Sequence, residues 1–462
     1  MTPRRLYSPQ SIAFQFACTV VHRLVDAGFV AYFAGGCVRD ALLNIAPSDF
    51  DVATSASSEQ VRSLFGSKNT LAVGEAFGVI LVRGRIEGTK SQVEVATFRS
   101  DGTYSDGRRP DWVVYSTPEE DAQRRDFTVN GLFYDPIAER VLDYVAGEDD
   151  LQRRILRAIG SPNARIEEDK LRMLRAIRFA ARFALTIDNE TRQAIVRHAT
   201  TITQVSGERV GVEMNKILSH PQRVWAWREL MDTGLLSHIL PEWYPASNDT
   251  DGSAHSVSPL SEHSDRERGI QLLMHLPSRA IVAETAIGAI FQPWYERLYG
   301  MNPSAAKEPF DTLLHALKNR WKLSNREIDA IRFAVVHAGM LVDATQHPWS
   351  CIQPLLTSPW VEHALDIAEA TTALKGVPAT GIAYCRSRLK EPVEQWDPRP
   401  WLDGSDLIRA GLRPGPDFSK ILSEARSKQL DNELPSREAA IDWLEGQIQA
   451  IDKPIEKRPA GN

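Results

Sequence analysis

The chain has 462 residues, a formal net charge of -6, 43% hydrophobic and 25% charged residues, an ordinary balance for a soluble globular protein of about three domains. The slightly acidic balance excludes nucleic-acid binding through overall charge and leaves it to local basic patches. No stretch of about 18 consecutive apolar residues occurs, and Cys18, Cys37, Cys351 and Cys385 are scattered without CxxC spacing, so no membrane helix, zinc site or disulfide framework is indicated and a reducing cytoplasm fits.

In chain order, the N-terminal stretch has two arginines, but Gln15, His22 and Arg23 break its apolar run, which predicts no signal peptide. From Ser8 to Ala27, Ile12, Phe16, Val20, Leu24 and Val25 recur near a helical repeat, with Gly28 as the stop. The next stretch, YFAGGCVRDALLNIAPSDFDVAT from Tyr32 to Thr54, reads as a short apolar strand, two glycines, a short helix through Val38 to Leu43, and a second strand carrying Asp49 and Asp51. Carboxylates at i and i+2 of a strand project from one face, and such a pair suits a divalent cation better than its members suit each other. Gly35 and Gly36 stand where free backbone N–H groups at a helix start favour an anion such as phosphate.

Ser57 to Phe65 reads as a further helix, and Gly78 to Arg85 and Gln92 to Arg99 read as strands joined by a turn through Gly88, so a small mixed sheet with helices is expected. Glu94, on the last of these strands, is either a third carboxylate facing Asp49 and Asp51 or an edge-strand glutamate in solvent. The segment from Asp101 to Pro136 begins rich in Gly, Asp and Arg with no periodicity, which predicts a mobile loop over the site. It then carries Arg124, Arg125 and Asp126, a triplet that in isolation is as readily a surface ion pair. From Arg165 to Phe183 the pattern predicts a helix with Leu171, Leu174, Ile177, Phe179 and Phe183 towards the core and Arg172, Arg175, Arg178 and Arg182 as a basic row. Residues 151–183 hold eight arginines and one lysine against two glutamates and one aspartate, a local basic patch of the kind the overall charge lacks. Beyond about residue 225 the chain reads as helical; ten of its 11 tryptophans lie there, mostly as helix-packing core, and a Ser-, Asp- and Gly-rich linker is expected over residues 246–263.

Gly35, Gly36, Val38, Arg39 and Asp40, followed by Asp49, Asp51 and Thr54, resemble the GGxVRD and DxD signature of nucleotidyltransferases built on the DNA polymerase beta-like palm, specifically the tRNA CCA-adding enzyme and bacterial poly(A) polymerase family. Further stretches are similar to that family in its order. Arg124 to Asn130 resembles RRDFTxN; Asp143, Gly147 and Asp150 resemble its DxxxGxxDL link; Glu168, Asp169 and Arg172 resemble EDxxR. Ser206, Glu208, Arg209, Glu213 and Lys216 resemble SxERxxxExxKxL, and Gly404 to Phe418 resembles GxDLIxxGLxPGPxF. The resemblance implies an α+β chain with a palm-like mixed-sheet head (1–150), a helical neck (151–225), a helical body (226–330) and a helical body and tail (331–462) gripping RNA.

It also implies the chemistry. Mg2+ would be held by Asp49 and Asp51, with Glu94 assisting; Gly35, Gly36, Arg39 and Arg125 would hold phosphates. Asp169 and Arg172 would select the base, Arg175 and Arg178 would reach the triphosphate or the helix's own carboxylates, and Asp106, Arg108 and Arg109 would belong to a flexible loop required for the final A. The implied substrates are CTP, ATP and the tRNA 3' end, in the cytoplasm, with no membrane and no obligate protein partner. A-only addition and poly(A) tailing are the neighbouring activities. Tailing is disfavoured because VGEAFGVILV from Val73 is not arginine-rich and KPIEKRPAGN is no long basic tail. From another class, a catalytically silent RNA-binding protein would have lost an aspartate or the EDxxR pair, and both are present. Lack of a His-Asp doublet near His275 predicts no phosphohydrolase activity.

Overall fold

The computed structural model describes residues 6–8, 11–74, 78–102, 112–244, 263–279 and 281–451. The chain forms two compact units, residues 1–241 with 320–322, and residues 242–319 with 323–462. The head and neck ranges both fall within the first.

The first unit opens with α1 (Ile12–Asp26), started by the Ser11 hydroxyl accepting from the Phe14 N–H, and buries Phe16, Val20, Val21 and Leu24 along one side. That side rests on a seven-stranded mixed sheet in the order β3-β4-β5-β2-β1-β8-β9. Its strands are β1 (Ala31–Ala34), β2 (Asp51–Thr54), β3 (Thr70–Gly74), β4 (Val79–Ile86), β5 (Thr89–Thr97), β8 (Phe133–Asp135) and β9 (Arg140–Leu142). Gly84 lets α1 approach, since a Cβ there would stand 2.4 Å from the Phe16 ring. Between the strands run α2 (Gly36–Leu42), α3 (Ser58–Phe65), the ribbon β6 (Arg99–Asp101) with β7 (Val113–Tyr115), and α4 (Pro118–Gln123).

Alternation along β5 decides what each sheet face carries: Val93 and Val95 are buried, and Glu94 is exposed. β2 runs parallel to β5 with Asp51 opposite Glu94, so the two carboxylates share a face. On that side Ala34, Ala53, Phe98, Ala122 and Phe133 form a small apolar cluster that seats α4. Asp49 is not in the strand, contrary to the alternation argument; the chain enters β2 only at Asp51, and Asp49 lies in the turn after Pro47 and Ser48.

α5 (Gly147–Gln152) leads into the range expected as the neck, which begins with β10 (Ile155–Leu156). The single helix expected over 165–183 is two, α6 (Pro162–Glu168) and α7 (Arg172–Phe183), broken at Asp169, whose backbone is extended. The Asp169 carboxylate accepts from the Leu171 N–H at 3.1 Å and competes with the helical ladder, a local alternative that short acidic side chains offer. The expected core side of α7 is buried: Leu174 and Ile177 fully, Leu171, Phe179 and Phe183 nearly so. β11 (Thr186–Ile187) pairs with β10, and α8 (Asn189–His198), α9 (Gly207–Leu218), α10 (Arg223–Asp232) and α11 (Leu235–Ile239) complete the unit.

The second unit's described elements are helices, from α12 (His263–His275) through α13 (Ala283–Met301), α14 (Pro303–Trp321), α15 (Asn325–Val342), α16 (Trp349–Leu356), α17 (Val361–Lys375), α18 (Thr380–Arg388) and α19 (Val393–Trp396) to α20 (Gly404–Arg409), α21 (Pro416–Leu430) and α22 (Arg437–Ile451); Arg320–Lys322, at the end of α14, are counted in the first unit. At its C-terminal end Leu402, Leu407, Ile421, Ala425, Leu434, Ala440 and Leu444 form a separate core. Buried Asp406 joins it by pairing with Arg409 and Arg437. Among the described residues no helix is long and apolar enough to cross a membrane.

Candidate active site

One cleft of about 700 Å³ lies in the first unit. The head contributes Gly35, Gly36, Arg39, Asp49, Asp51, Arg99, Arg124, Arg125, Asp126 and Asn130, and the neck contributes Asp169, Leu171, Arg172, Arg175, Phe179 and Arg209. Most of the residues singled out from the sequence therefore meet in one place. Glu94 stands beside Asp51 without lining the cleft, Arg178 lies away from the cleft wall, and Asp106, Arg108 and Arg109, with Tyr104 and Pro110, are outside the described residues.

Among the described residues Asp49, Asp51 and Glu94 carry no side-chain hydrogen bond or ion pair. The Asp51 carboxyl is pushed up to about 6, first by the protein packed around it and then by the neighbouring charges of Asp49 and Glu94, against an opposing pull from Arg125. Asp51 nevertheless remains exposed as a residue and lines the cleft. No three acidic, His or Cys side chains among the described residues close into a ready-made metal cage. An oxygen-only set of one or two carboxylates is nevertheless what Mg2+ uses when substrate phosphates and water complete its shell.

The arginine side is built on α4 and the turn after it. Asp121 is buried and divides its two oxygens: Oδ1 accepts from Arg124 Nη2 at 2.6 Å and Nε at 2.9 Å, Oδ2 from Arg125 Nη2 at 2.9 Å and Nε at 3.2 Å. Arg125 also donates to the Asn130 carbonyl and lies over the Phe133 ring, 4.9 Å from its centroid. It passes directly over the glycine turn. Gly35 has φ +67°, which favours glycine, and a Cβ there would stand 2.7 Å from Arg125 Nη1 and displace that guanidinium. Arg39 lines the cleft but is buried, paired with Asp40 and Asn130 and stacked 4.1 Å from the Phe183 centroid, which ties α2 to α7.

In the neck each arginine of the basic row has a carboxylate. Arg172 donates to Glu168 at 2.6 Å, and to the Arg165 carbonyl. Arg175 meets Asp126 at 2.6 Å. Buried Arg178 pairs with buried Glu213 of α9, and Arg182 approaches Asp40 at 4.0 Å. Asp169 accepts from Arg209 at 2.7 Å through the oxygen not used by Leu171. Burial acts most strongly on Asp126 and would raise its pKa, but the Arg175 charge and hydrogen bonds from Asn130 and Arg175 overcome it and hold the carboxyl at about 2.

Sequence reasoning passed over Arg99, Arg124, Asn130, Phe179 and Arg209 as site residues. Arg124 and Asn130 sit in a stretch it had marked. Arg209 also sits in a stretch it had marked, but its pairing with Asp169, 40 residues away, had no local signal.

A mixed sheet carrying paired acidic residues, joined to a basic helical neck across one cleft, defines a nucleotidyltransferase head with its neck. Residues 31–157 match the poly A polymerase head domain family, and residues 184–246 match a family described as the probable RNA and SrmB-binding site of polymerase A. Relatives named CCA-adding enzyme include that of Levilactobacillus brevis, 30% identical across 93% of this chain and 96% of its own, and that of Limosilactobacillus fermentum, 32% identical across 91% and 94%. The crystal structure of the Bacillus stearothermophilus CCA-adding enzyme in complex with CTP superposes with a TM-score of 0.72 at 26% identity, covering 96% of this chain and 99% of that one. The Thermotoga maritima CCA-adding enzyme complexed with tRNA shares the fold at a TM-score of 0.62 and 18% identity, covering 97% and 100%. The chain belongs to the CCA-adding enzyme family.

Proposed function

We propose that this chain extends the 3' end of tRNA with C and A residues, completing CCA, from CTP and ATP and without a nucleic-acid template. The observation that carries the reading is the meeting, in one cleft, of Asp49 and Asp51, unpaired among the described residues, with Arg125 over the glycine turn and with Asp169 and Arg172 of the neck.

Asp49 and Asp51, with Glu94 alongside, form an unpaired oxygen-only set that fits Mg2+ and would hold it. Bound there, the metal supplies activation of the RNA 3'-hydroxyl and charge neutralisation on the pyrophosphate leaving group. Gly35 and Gly36 keep the turn open, and Arg125 offers its fork to the phosphates; Arg39 braces the same turn against α7. Asp169 accepts from the exocyclic amino group at the position where cytosine and adenine carry one and uracil and guanine carry a carbonyl, and Arg172 donates to a ring nitrogen or carbonyl. Arg209 and Glu168 hold these two side chains before a base arrives, so little ordering is left for binding. Arg175 joins neck to head through Asp126, and Arg178 secures α7 to α9. The second unit grips RNA. Four free cysteines agree with work in the cytoplasm.

The test uses purified protein, Mg2+ and three tRNA transcripts ending before CCA, after C and after CC, each with CTP, ATP or both. Completion of CCA on the first transcript is expected. ATP incorporation confined to the CC-ended transcript would make this an A-adding enzyme, and long A tracts on any RNA would make it a poly(A) polymerase.

A further inference from the structure

We infer that Asp121 is the positioning residue for the nucleotide triphosphate: one buried carboxylate that spaces the Arg124 and Arg125 forks and anchors strand β6 beside them. The inference rests on the reading of this cleft as the triphosphate site.

Asp121 is 1% exposed and projects from α4, which puts Arg124 and Arg125 three and four residues on, one helical turn away on the same side. It gives one oxygen to each guanidinium, which fixes the two forks relative to each other as a single shared ion pair does not. Its Oδ1 also accepts from the Arg99 N–H at 3.3 Å, and Arg124 Nε donates to the Arg99 carbonyl at 3.1 Å. The first residue of β6 is thereby held from both its N–H and its C=O, and Arg99, Arg124 and Arg125 all line the cleft. Asp121 itself does not line it. Its action is on the cations that do.

Two physical effects of this carboxylate oppose each other. As a charge, Asp121 weakens the attraction of both arginines for a polyanion. As an anchor, it removes the rotamer freedom of two long side chains that would otherwise be lost on binding. Which effect dominates is visible in a sign. Asp121→Asn lifts the charge, so charge balance alone tightens nucleotide binding; loss of positioning loosens it.

The experiment measures KM for CTP and ATP, KM for tRNA, kcat and the melting temperature for the wild type, Asp121→Asn, Asp121→Glu and Arg125→Ala. Asp121→Asn is expected to raise KM for both nucleotides about tenfold while leaving KM for tRNA in place. Asp121→Glu keeps the charge but shifts its oxygens outward by one methylene group, and is expected to raise the nucleotide KM by a smaller factor; it stands in if the asparagine variant does not fold. An unchanged or lowered nucleotide KM in either folded variant, with loss only of kcat or melting temperature, overturns the inference. Arg125→Ala keeps the two questions apart: if it leaves nucleotide KM unmoved, the placement of the triphosphate fails, whereas a raised KM there with none in the Asp121 variants fails Asp121 alone.

Discussion

Asp51 and Glu94 share one face of the head sheet with Asp49 close to Asp51, and their side chains make no hydrogen bond or ion pair among the described residues, whereas in the neck Arg172, Arg175, Arg178 and Arg209 each meet a carboxylate. Both regions are dense in charge, yet one is left uncompensated and the other is internally satisfied. The Asp51 carboxyl is raised first by the protein packed around it and then by the charges of Asp49 and Glu94, so its ionised form is held at a cost that a bound cation would relieve. Paired arginines stabilise the neck and set side-chain directions before any ligand arrives. On the function proposed above, the contrast separates a face that would take an incoming ion from a face made rigid in advance.

The largest effect should come from the unpaired side. Asp51→Asn is expected to reduce nucleotide incorporation on the order of a thousandfold. In metal-free buffer near neutral pH it should melt at or above the wild-type temperature, because it relieves repulsion from Asp49 and Glu94. A clearly lower melting temperature would mean that Asp51 supports the fold and that the contrast between the two faces is false.

The paired side should show the reverse, a stability effect that depends on pH. Asp126 is held at about 2 in the folded state, below the roughly 3.9 of an unperturbed aspartate. A depressed carboxylate contributes stability above its unfolded value and loses it as pH falls through the folded one, here between about 4 and 2. Asp126→Asn should therefore cost about 2 kcal/mol near neutral pH, a melting shift of roughly 5 °C for a unit of this size. The gap should close as pH approaches 2. A constant gap across that range would show that the Arg175 pair is not its source.

What the sequence made legible follows from how local each signal is. The glycine turn and the apolar side of α7 were readable because each depends on neighbours a few residues away; Asp51 beside Glu94 joins two strands far apart in the chain, and the sequence alone left Glu94 either there or in solvent. Asp49 was placed one element too far in, since alternation does not register the turn at Pro47 and Ser48. The break at Asp169 was invisible because the apolar repeat runs through it, and only the side-chain bond to the Leu171 N–H stops the helix. Arg178 was grouped with Arg172 and Arg175 by a spacing of three, yet each such step falls about 60° short of a full turn. After two steps it points to α9 and Glu213 instead of into the cleft. β6 and β7, three residues each, were too short to show alternation, and the Arg209–Asp169 pair spans 40 residues. Asp121 was a readable omission, because its three- and four-residue spacing to Arg124 and Arg125 is a helical signal in plain sight.

The smallest expected effect is also the most informative about the neck. If Arg209 and Glu168 hold Asp169 and Arg172 ready for a base, choice among nucleotides should depend on those supports as well as on the reading pair. Asp169→Ala with Arg172→Ala should let UTP and GTP compete, with selectivity for CTP and ATP falling by about one to two powers of ten. Arg209→Ala leaves both readers in place but frees one carboxylate oxygen of Asp169. It should lower selectivity by only several-fold, while incorporation of CTP at saturation changes little, because Asp51 and Arg125 are untouched. An assay with all four nucleoside triphosphates in competition resolves the two. Selectivity lost equally in both variants would make Arg209 a reader in its own right; wild-type selectivity in Arg209→Ala would show that Asp169 is oriented by the Leu171 N–H alone, and the pairing in the neck would then be a device of stability, not of preparation.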